Sequence, residues 1–311
     1  MQQHFARSAG AREANSVEQL VWPGIAAWWG RSYNEHKEEY PDLFEQETSE
    51  KAYEEEVEIS GFGLFPVKNE GTAITYDMEQ QGAVTRYSHV AYASGYIVTY
   101  EELRDDLYEI VSKRRAQQLA FSARQTQENI GANVYNRAFN SSYPIGDGTA
   151  LINNAHPTLS GVTQSNVLTT AADLSETALE DLLIQIGQAL NSRGMKISVL
   201  GQSLHIPVQL WFEANRILKS VLQNDTTNNA INVLKATNAL PKGILQNHYF
   251  TSATAWFVRT NVPRGMMWYN REQMTFDQDN EFSTKNALAA AYMRFSCGGT
   301  DWRGIFGTPG V

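Results

Sequence analysis

Residues 100–139 read YEELRDDLYEIVSKRRAQQLAFSARQTQENIGANVYNRAF, forty residues without a proline, set behind a Gly- and Tyr-rich, strand-like stretch. Apolar side chains at Leu103, Leu107, Ile110, Val111, Leu119, Ala123, Ile130, Val134 and Ala138 recur at three- and four-residue spacing. That spacing predicts one long helix, or two in tandem, with one covered stripe and with Arg and Gln positions facing outward. Unbroken, the rod would measure about 60 Å. A helix of this length suits a coiled coil, a membrane span or a structural spine. No heptad is sustained, because Arg114 and Arg115, then Thr126 and Gln127, interrupt the stripe. Arg104, Asp105, Asp106, Lys113, Arg114, Arg115 and Arg124 exclude a membrane span. A spine, or an ordinary helix of a large domain, remains.

The chain around this rod has 311 residues and is 42% hydrophobic, enough for one sizeable core or two of about 150 residues each. Its start, Met1-Gln-Gln-His-Phe-Ala-Arg7, lacks the apolar core of a signal peptide, and a cytosolic origin is expected. The single cysteine, Cys297, has no partner for a disulfide and no neighbouring His, which predicts a structural thiol. The net charge of −9 is local: Glu35 to Glu58 holds eleven acidic residues and two lysines, so the rest of the chain sums to zero. Such a block reads either as a solvated acidic face or as an arm that docks on a neighbour's basic surface. No basic patch interleaved with aromatics points to sequence-specific nucleic-acid binding.

Residues 1–58 lack a core pattern of their own, although Leu20, Val21, Trp22, Ile25, Trp28 and Trp29 form an apolar knot. This knot buries either on the chain's own body or on another subunit. From Ile59 to Val98, short β-prone runs between Gly and polar turns predict an extended hairpin whose alternation is too weak for a one-sided core strand. Asn140 to Thr170, rich in Asn, Ser, Thr, Gly and Pro, is a loop. Asp173 with Glu176 suggests a capping box for a helix with Leu179, Leu182, Leu183, Ile186 and Leu190 on its core face. A buried strand near Ile197 to Leu200, a helix carrying Trp211, Ala214, Ile217 and Leu218, and strands near Ile231 to Leu234, Ala255 to Arg259 and Met266 to Tyr269 follow. Ala287 to Phe295 and Asp301 to Phe306 are strand-like again.

The chain carries no P-loop, Gly-x-Gly-x-x-Gly, His-Glu-x-x-His or Gly-x-Ser-x-Gly pattern, and its six histidines are scattered singly. His156, in Asn153-Asn154-Ala155-His156-Pro157, sits among polar groups, where a loop-locking hydrogen bond is a better reading than a general base.

Five stretches, taken in order, carry a resemblance. They are Gly95-Tyr-Ile-Val-Thr-Tyr-Glu-Glu-Leu103, Leu151-Ile-Asn-Asn-Ala-His-Pro-Thr-Leu-Ser-Gly161 with Asn166, Ile206-Pro-Val-Gln-Leu-Trp-Phe-Glu-Ala-Asn-Arg-Ile-Leu-Lys-Ser220, Trp256-Phe-Val-Arg-Thr260 and Arg294-Phe-Ser-Cys-Gly298. Across residues 59 to 306 they resemble the major capsid (head) proteins of tailed bacteriophages with the Hong Kong 97-type fold, particularly the Mu-like head subunits. The resemblance implies an α+β fold with an N-terminal arm (1–58), an extended hairpin loop (59–98), a peripheral domain on the spine helix (99–172), a mixed axial domain (173–267) and a return to the peripheral domain (268–311). It also implies self-assembly through hexamers and pentamers into an icosahedral virion shell around double-stranded DNA, in the host bacterial cytoplasm, with scaffold, portal and decoration proteins as further partners. Neither a catalytic residue nor a cofactor, a metal or a membrane is implied. Since arm and hairpin are least able to bury themselves, assembly contacts are expected at Trp22, Trp28, Trp29, Glu54, Glu55, Glu56, Phe62, Phe65, Lys68 and Arg86. Some relatives crosslink a hairpin lysine to a neighbour's asparagine; nothing beyond Lys68 matches that chemistry, and non-covalent assembly is expected. A hairpin starting by residue 59 also suggests a separate scaffold protein or none. The alternatives are an encapsulin-like compartment packaging a cargo enzyme and, from another class, a soluble hydrolase using His156.

Overall fold

In the computed structural model, which describes residues 27, 29–35, 37–105, 108–222 and 231–311, the rod begins at a cap. Thr99 accepts a hydrogen bond from the Glu102 amide and Glu102 accepts one from the Thr99 amide, a reciprocal capping box that starts α1 (Tyr100–Arg104). A second helix, α2 (Tyr108–Asn136), follows, so the rod is two helices in tandem. At 29 residues α2 is about 43 Å long. Trp22, Trp28, Leu107 and the polar run at 223–229 fall outside the described residues.

The strands begin with β1 (Glu45–Thr48), and the chain forms two compact units whose division cuts α2 and the two long strands β8 (Met266–Asn280) and β9 (Ala287–Gly299). The first comprises residues 1–39, 89–129 and 270–295. In it β4 (Val90–Val98) pairs antiparallel with β9 (Ala287–Gly299), from Val90 opposite Phe295 to Val98 opposite Ala287. Small residues on one face of β9, Ala287, Ala289 and Ala291, are buried, and Ala291 packs with Ala116, Leu119 and Ala120 of α2. Trp29 closes this core, stacked between Tyr33 and Phe276 at 5.1 Å from each ring.

One expectation about α2 is corrected here. Arg124 and Gln127 do not face outward; both are buried, and so is Glu128 beside them. They fasten the segment that follows helical residues 29–35. Tyr33 donates to Gln127 at 2.8 Å, Arg124 pairs with Glu38 at 2.6 Å, and the Glu39 amide donates to Glu128 at 2.8 Å. Buried charge is tolerated where it is paired and hydrogen-bonded, and here it replaces an apolar stripe.

The second unit comprises residues 40–88, 130–269 and 296–311. Its sheet has the order β10-β7-β5-β6, with β5 (Gly201–Pro207) parallel to β6 (Gly243–Asn247) and antiparallel to β7 (Trp256–Thr260), and with β10 (Ile305–Thr308) antiparallel to β7. Leu179, Leu182 and Ile186 of α3 (Glu176–Gly187), and Ala214 and Ile217 of α4 (Trp211–Lys219), pack on Leu204, Ile206, Trp256, Val258 and Phe306. The α3 cap is Ser175, which accepts from the Ala178 amide, rather than Asp173. The strand expected near Ile197 starts at Gly201, and Ile231 to Leu234 gives way to the short helix α5 (Val233–Ala236), because Asn232 caps it by accepting from the Lys235 amide. Behind the sheet, Tyr135 is fully buried, donates its hydroxyl to the Leu43 carbonyl at 2.8 Å and meets Phe44, Phe250 and Phe257.

Candidate assembly surface

The hairpin of the second unit consists of β2 (Tyr53–Ser60) and β3 (Gln80–Ser88), antiparallel, joined by residues 61–79. It starts before Ile59 and ends before Val98. Residues 90–98 instead form β4 of the first unit, where β9 offers a partner along all nine residues.

Polarity in β2 is inverted relative to an ordinary sheet strand, in which apolar residues face the body. Glu54, Glu56 and Glu58 are half-buried on one face, while Tyr53, Val57 and Ile59 are exposed on the other, with Val84 of β3 opposite Val57. The connecting loop continues the apolar display: Phe62, Leu64, Phe65, Val67, Ile74, Tyr76 and Met78 are all exposed, Phe65 at 94% and Val67 at 92%. Monomeric proteins do not usually leave so many large apolar side chains in water on one element.

Most of the acidic block meets cations of this same chain. Glu54 accepts from Ser49 at 2.7 Å and from Lys51 at 2.8 Å. Glu55 faces Arg86 across the strands at 3.7 Å, and the Arg86 guanidinium lies 3.7 Å above the Tyr53 ring. Glu56 accepts from the Tyr269 hydroxyl at 2.6 Å and from Arg264 at 2.5 Å, and Glu47 reaches Arg264 at 2.8 Å. Glu45 pairs with Arg259 at 3.5 Å, and Glu58 with Arg303 at 3.4 Å. The structure therefore brings Glu54, Glu55, Glu56 and Arg86 together on the hairpin stem and exposes Phe62, Phe65 and Lys68 on its loop, while Trp29 is in the first unit's core. Sequence reasoning missed Leu64, Val67, Ile74, Tyr76 and Met78. The signal was present as apolar residues in a stretch with neither helical nor strand periodicity.

The loop after the rod is organised around His156, which is fully buried. Its Nδ1 lies 2.6 Å from Asp147 Oδ2 and its Nε2 lies 3.0 Å from Asn166 Oδ1, and its ring stacks on Trp302 at 4.7 Å. Asn166 donates to the Leu151, Trp302 and Ile305 carbonyls at 2.8, 3.1 and 3.0 Å and accepts from the Asn153 amide at 2.8 Å. Burial alone would raise the Asp147 carboxyl, but the hydrogen bonds from His156 and Thr149 outweigh it and hold it below the usual carboxylate range. With no exposed face, His156 is a lock for the loop, as the hydrogen-bond reading of its sequence expects. Burial pushes the Cys297 thiol up to about 12, which keeps it protonated and inert. Among the described residues no cluster of His, Cys, Asp and Glu is arranged for a metal ion, and no helix is long and apolar enough to cross a membrane.

A shell subunit is the class of protein that combines a stable two-unit body with a long, outwardly apolar hairpin, and comparison with known proteins agrees. The family model described as "Phage capsid protein" matches residues 82–307, so the chain belongs to that family and is a capsid protein of a bacteriophage head. The fold is that of tailed-phage capsids. The procapsid protein of bacteriophage JBD30 aligns with a TM-score of 0.52 at 12% identity, covering 94% of this chain and 75% of that one. The capsid protein of a native GTA particle gives 0.53 at 13% identity, covering 86% and 88%, and the virus-like particle from Pyrococcus furiosus gives 0.51 at 11%, covering 93% and 99%. No curated protein matches the sequence.

Proposed function

We propose that the chain self-assembles through hexamers and pentamers into a closed icosahedral head enclosing double-stranded DNA, and that the hairpin is its principal contact with neighbouring copies. The observation that carries this reading is the row of exposed apolar side chains from Phe62 to Met78 on a chain of the capsid family. Burying such side chains contributes on the order of 25 cal/mol per Å² of apolar surface, and a symmetric shell buries every copy's hairpin while leaving no copy's surface uncovered. Phe62 and Phe65 are the anchors, with Lys68 and Arg86 as polar flanks, and the segment expected as an arm up to residue 58 is shortened by the hairpin strand that starts at Tyr53, leaving the residues before it, Trp22 and Trp28 included, as the arm of this reading. Residues 173–267 form the axial domain of this reading, and β10 (Ile305–Thr308) with Trp302 and Phe306, expected in the return to the peripheral domain, joins the same sheet and core. Assembly takes place in the host bacterial cytoplasm, without covalent crosslinks, and portal, scaffold and decoration proteins are the further partners this reading implies. A cargo-filled compartment is the competing reading, and the contents of the particle separate the two.

The test is negative-stain electron microscopy and light scattering of the purified chain, with the nucleic-acid content of particles from infected cells. Closed shells, or rings of five and six, that carry DNA are expected. A monodisperse single chain at every concentration would overturn shell assembly, and shells that hold an enzyme in place of DNA would overturn the phage-head reading.

A further inference from the structure

The reversed polarity of β2 has a physical consequence for how the hairpin is held. A strand that packs its apolar face on a core is fixed by surface burial, which added salt does not screen. In β2 the apolar face points away, and the inner face meets the body through charge. Three arginines, two from loops and Arg303 from a 3-10 turn, reach the hairpin. Arg264 reaches Glu56 at 2.5 Å and Glu47 at 2.8 Å, while its amide donates to Glu45 at 2.8 Å. Arg303 reaches Glu58 at 3.4 Å and also binds Asp301 and the Leu190 carbonyl. Arg193 pairs with Asp77 at 2.5 Å, donates to Ser60 at 3.3 Å and binds the Met78 carbonyl. Ser192, beside it, hydrogen-bonds Glu58.

Two further features belong to this arrangement. Arg264 holds a left-handed backbone, φ +56°, which costs a non-glycine residue about 1 kcal/mol and persists where its surroundings impose it. Beneath the stem, a cavity of about 180 Å³ is lined by Glu56, Glu58, Thr85, Asp147, Arg264 and Arg303 among others, so charged side chains border open space between stem and body. The loop comes close to the stem at Gly146, where an added Cβ would run into Thr85 and the backbone of Val84.

We infer that the Arg193, Arg264 and Arg303 rungs form an electrostatic latch that sets the angle of the hairpin on the body of its own unit. The inference rests on the hairpin being the contact with a second copy, and it adds that the latch orients that contact before a second copy arrives. The rungs differ in exposure. Arg264 is about half exposed and Arg303 is buried, so salt releases the first rung before the second.

The latch is testable on the full chain. Spin labels at Asn69→Cys, in the hairpin loop, and Gln209→Cys, on the body, are diluted in an excess of unlabelled chain, and their separation is measured by pulsed electron paramagnetic resonance. One narrow distance is expected at low salt. That single distance is lost on adding molar salt, in the double variant Arg264→Met with Arg303→Met, and in Gly146→Leu, while the near-ultraviolet circular dichroism of the body is kept. Where Arg303→Met prevents folding, Glu56→Gln with Glu58→Gln opens the same rungs from the hairpin side. A narrow distance that persists in the folded variants and in molar salt overturns the latch. The two ideas fail separately: a chain that never forms shells sinks the assembly reading and leaves the distance measurement standing, whereas shells with an unmoved hairpin sink only the latch.

Discussion

Two segments of the second unit look alike in sequence, yet the structure treats them in opposite ways. Both the 53–88 hairpin and the 140–170 loop are punctuated by glycine and polar residues, and neither carries the periodicity of a core element. The loop turns inward. It buries His156 and Asn166 completely and uses them to satisfy three carbonyls, an amide and a carboxylate that would otherwise be orphaned. The hairpin turns outward, placing its charges on the body and its apolar side chains in solvent. A polar segment becomes internal when its side chains can complete backbone hydrogen bonds. An apolar segment left external has its side chains free for a partner outside the chain, which the proposed function assigns to another copy.

That contrast can be broken most forcefully at the hairpin loop. Replacing Phe62, Leu64 and Phe65 together by Ser removes three exposed anchors, and at about 2 kcal/mol each for interface hot spots the assembled fraction should fall by roughly a thousandfold or more. Thermal unfolding of the free chain should scarcely move. Light scattering beside calorimetry reads both, and a lowered unfolding midpoint with intact shells would mean that these side chains pack on their own body.

In the loop the expectation is reversed. Asn166→Ala strands several buried partners and should cost about 3 kcal/mol of stability, measured by denaturant titration. A loss below about 0.5 kcal/mol, the usual size for surface substitutions, would show that the loop is not locked through this residue.

Acid should act on the body before the hairpin. Burial, with the nearby charges of Arg259 and Lys242, lowers the His205 pKa from 6.5 to about 3. The unfolded chain therefore binds a proton that the folded chain refuses between those values, and stability falls as pH drops from about 6.5 toward 3, by on the order of 1 kcal/mol per pH unit. Asp147, held below its usual range, adds a loss in the same direction once the pH enters the carboxylate range. His205→Gln should flatten the upper part of this decline in denaturation midpoints taken from pH 7 to pH 4. An unchanged slope would remove His205 from the account.

The smallest effect is expected at Glu55, whose pair with Arg86 is about half exposed on both sides. Glu55→Gln should change stability by less than about 0.5 kcal/mol. A larger change would mean that the outer face of β2 is covered within the chain.

How much of this was legible follows from what each residue packs against. The rod, the core face of α3 at Leu179, Leu182 and Ile186, and the helix from Trp211 are set by local periodicity, and sequence reasoning reached them. The family resemblance supplied the fold and the existence of an extended hairpin. The inward side of β2 was not legible, because alternating Glu with Val and Ile reads by default as charge outward and apolar inward. Arg193, Arg264 and Arg303, with Tyr269 and Ser192, all distant in sequence, reverse it. Arg124 and Gln127 were misread for the same reason: their partners Glu38 and Tyr33 lie far away along the chain.

The most direct test of the central claim is to delete residues 61–79, joining β2 to β3 by a two-residue turn, and to image the purified chain beside the full one. The deletion spares β4, which belongs to the first unit's sheet. The account predicts closed shells from the full chain and dispersed subunits with the same unfolding midpoint from the shortened one. Closed shells from the shortened chain would contradict it.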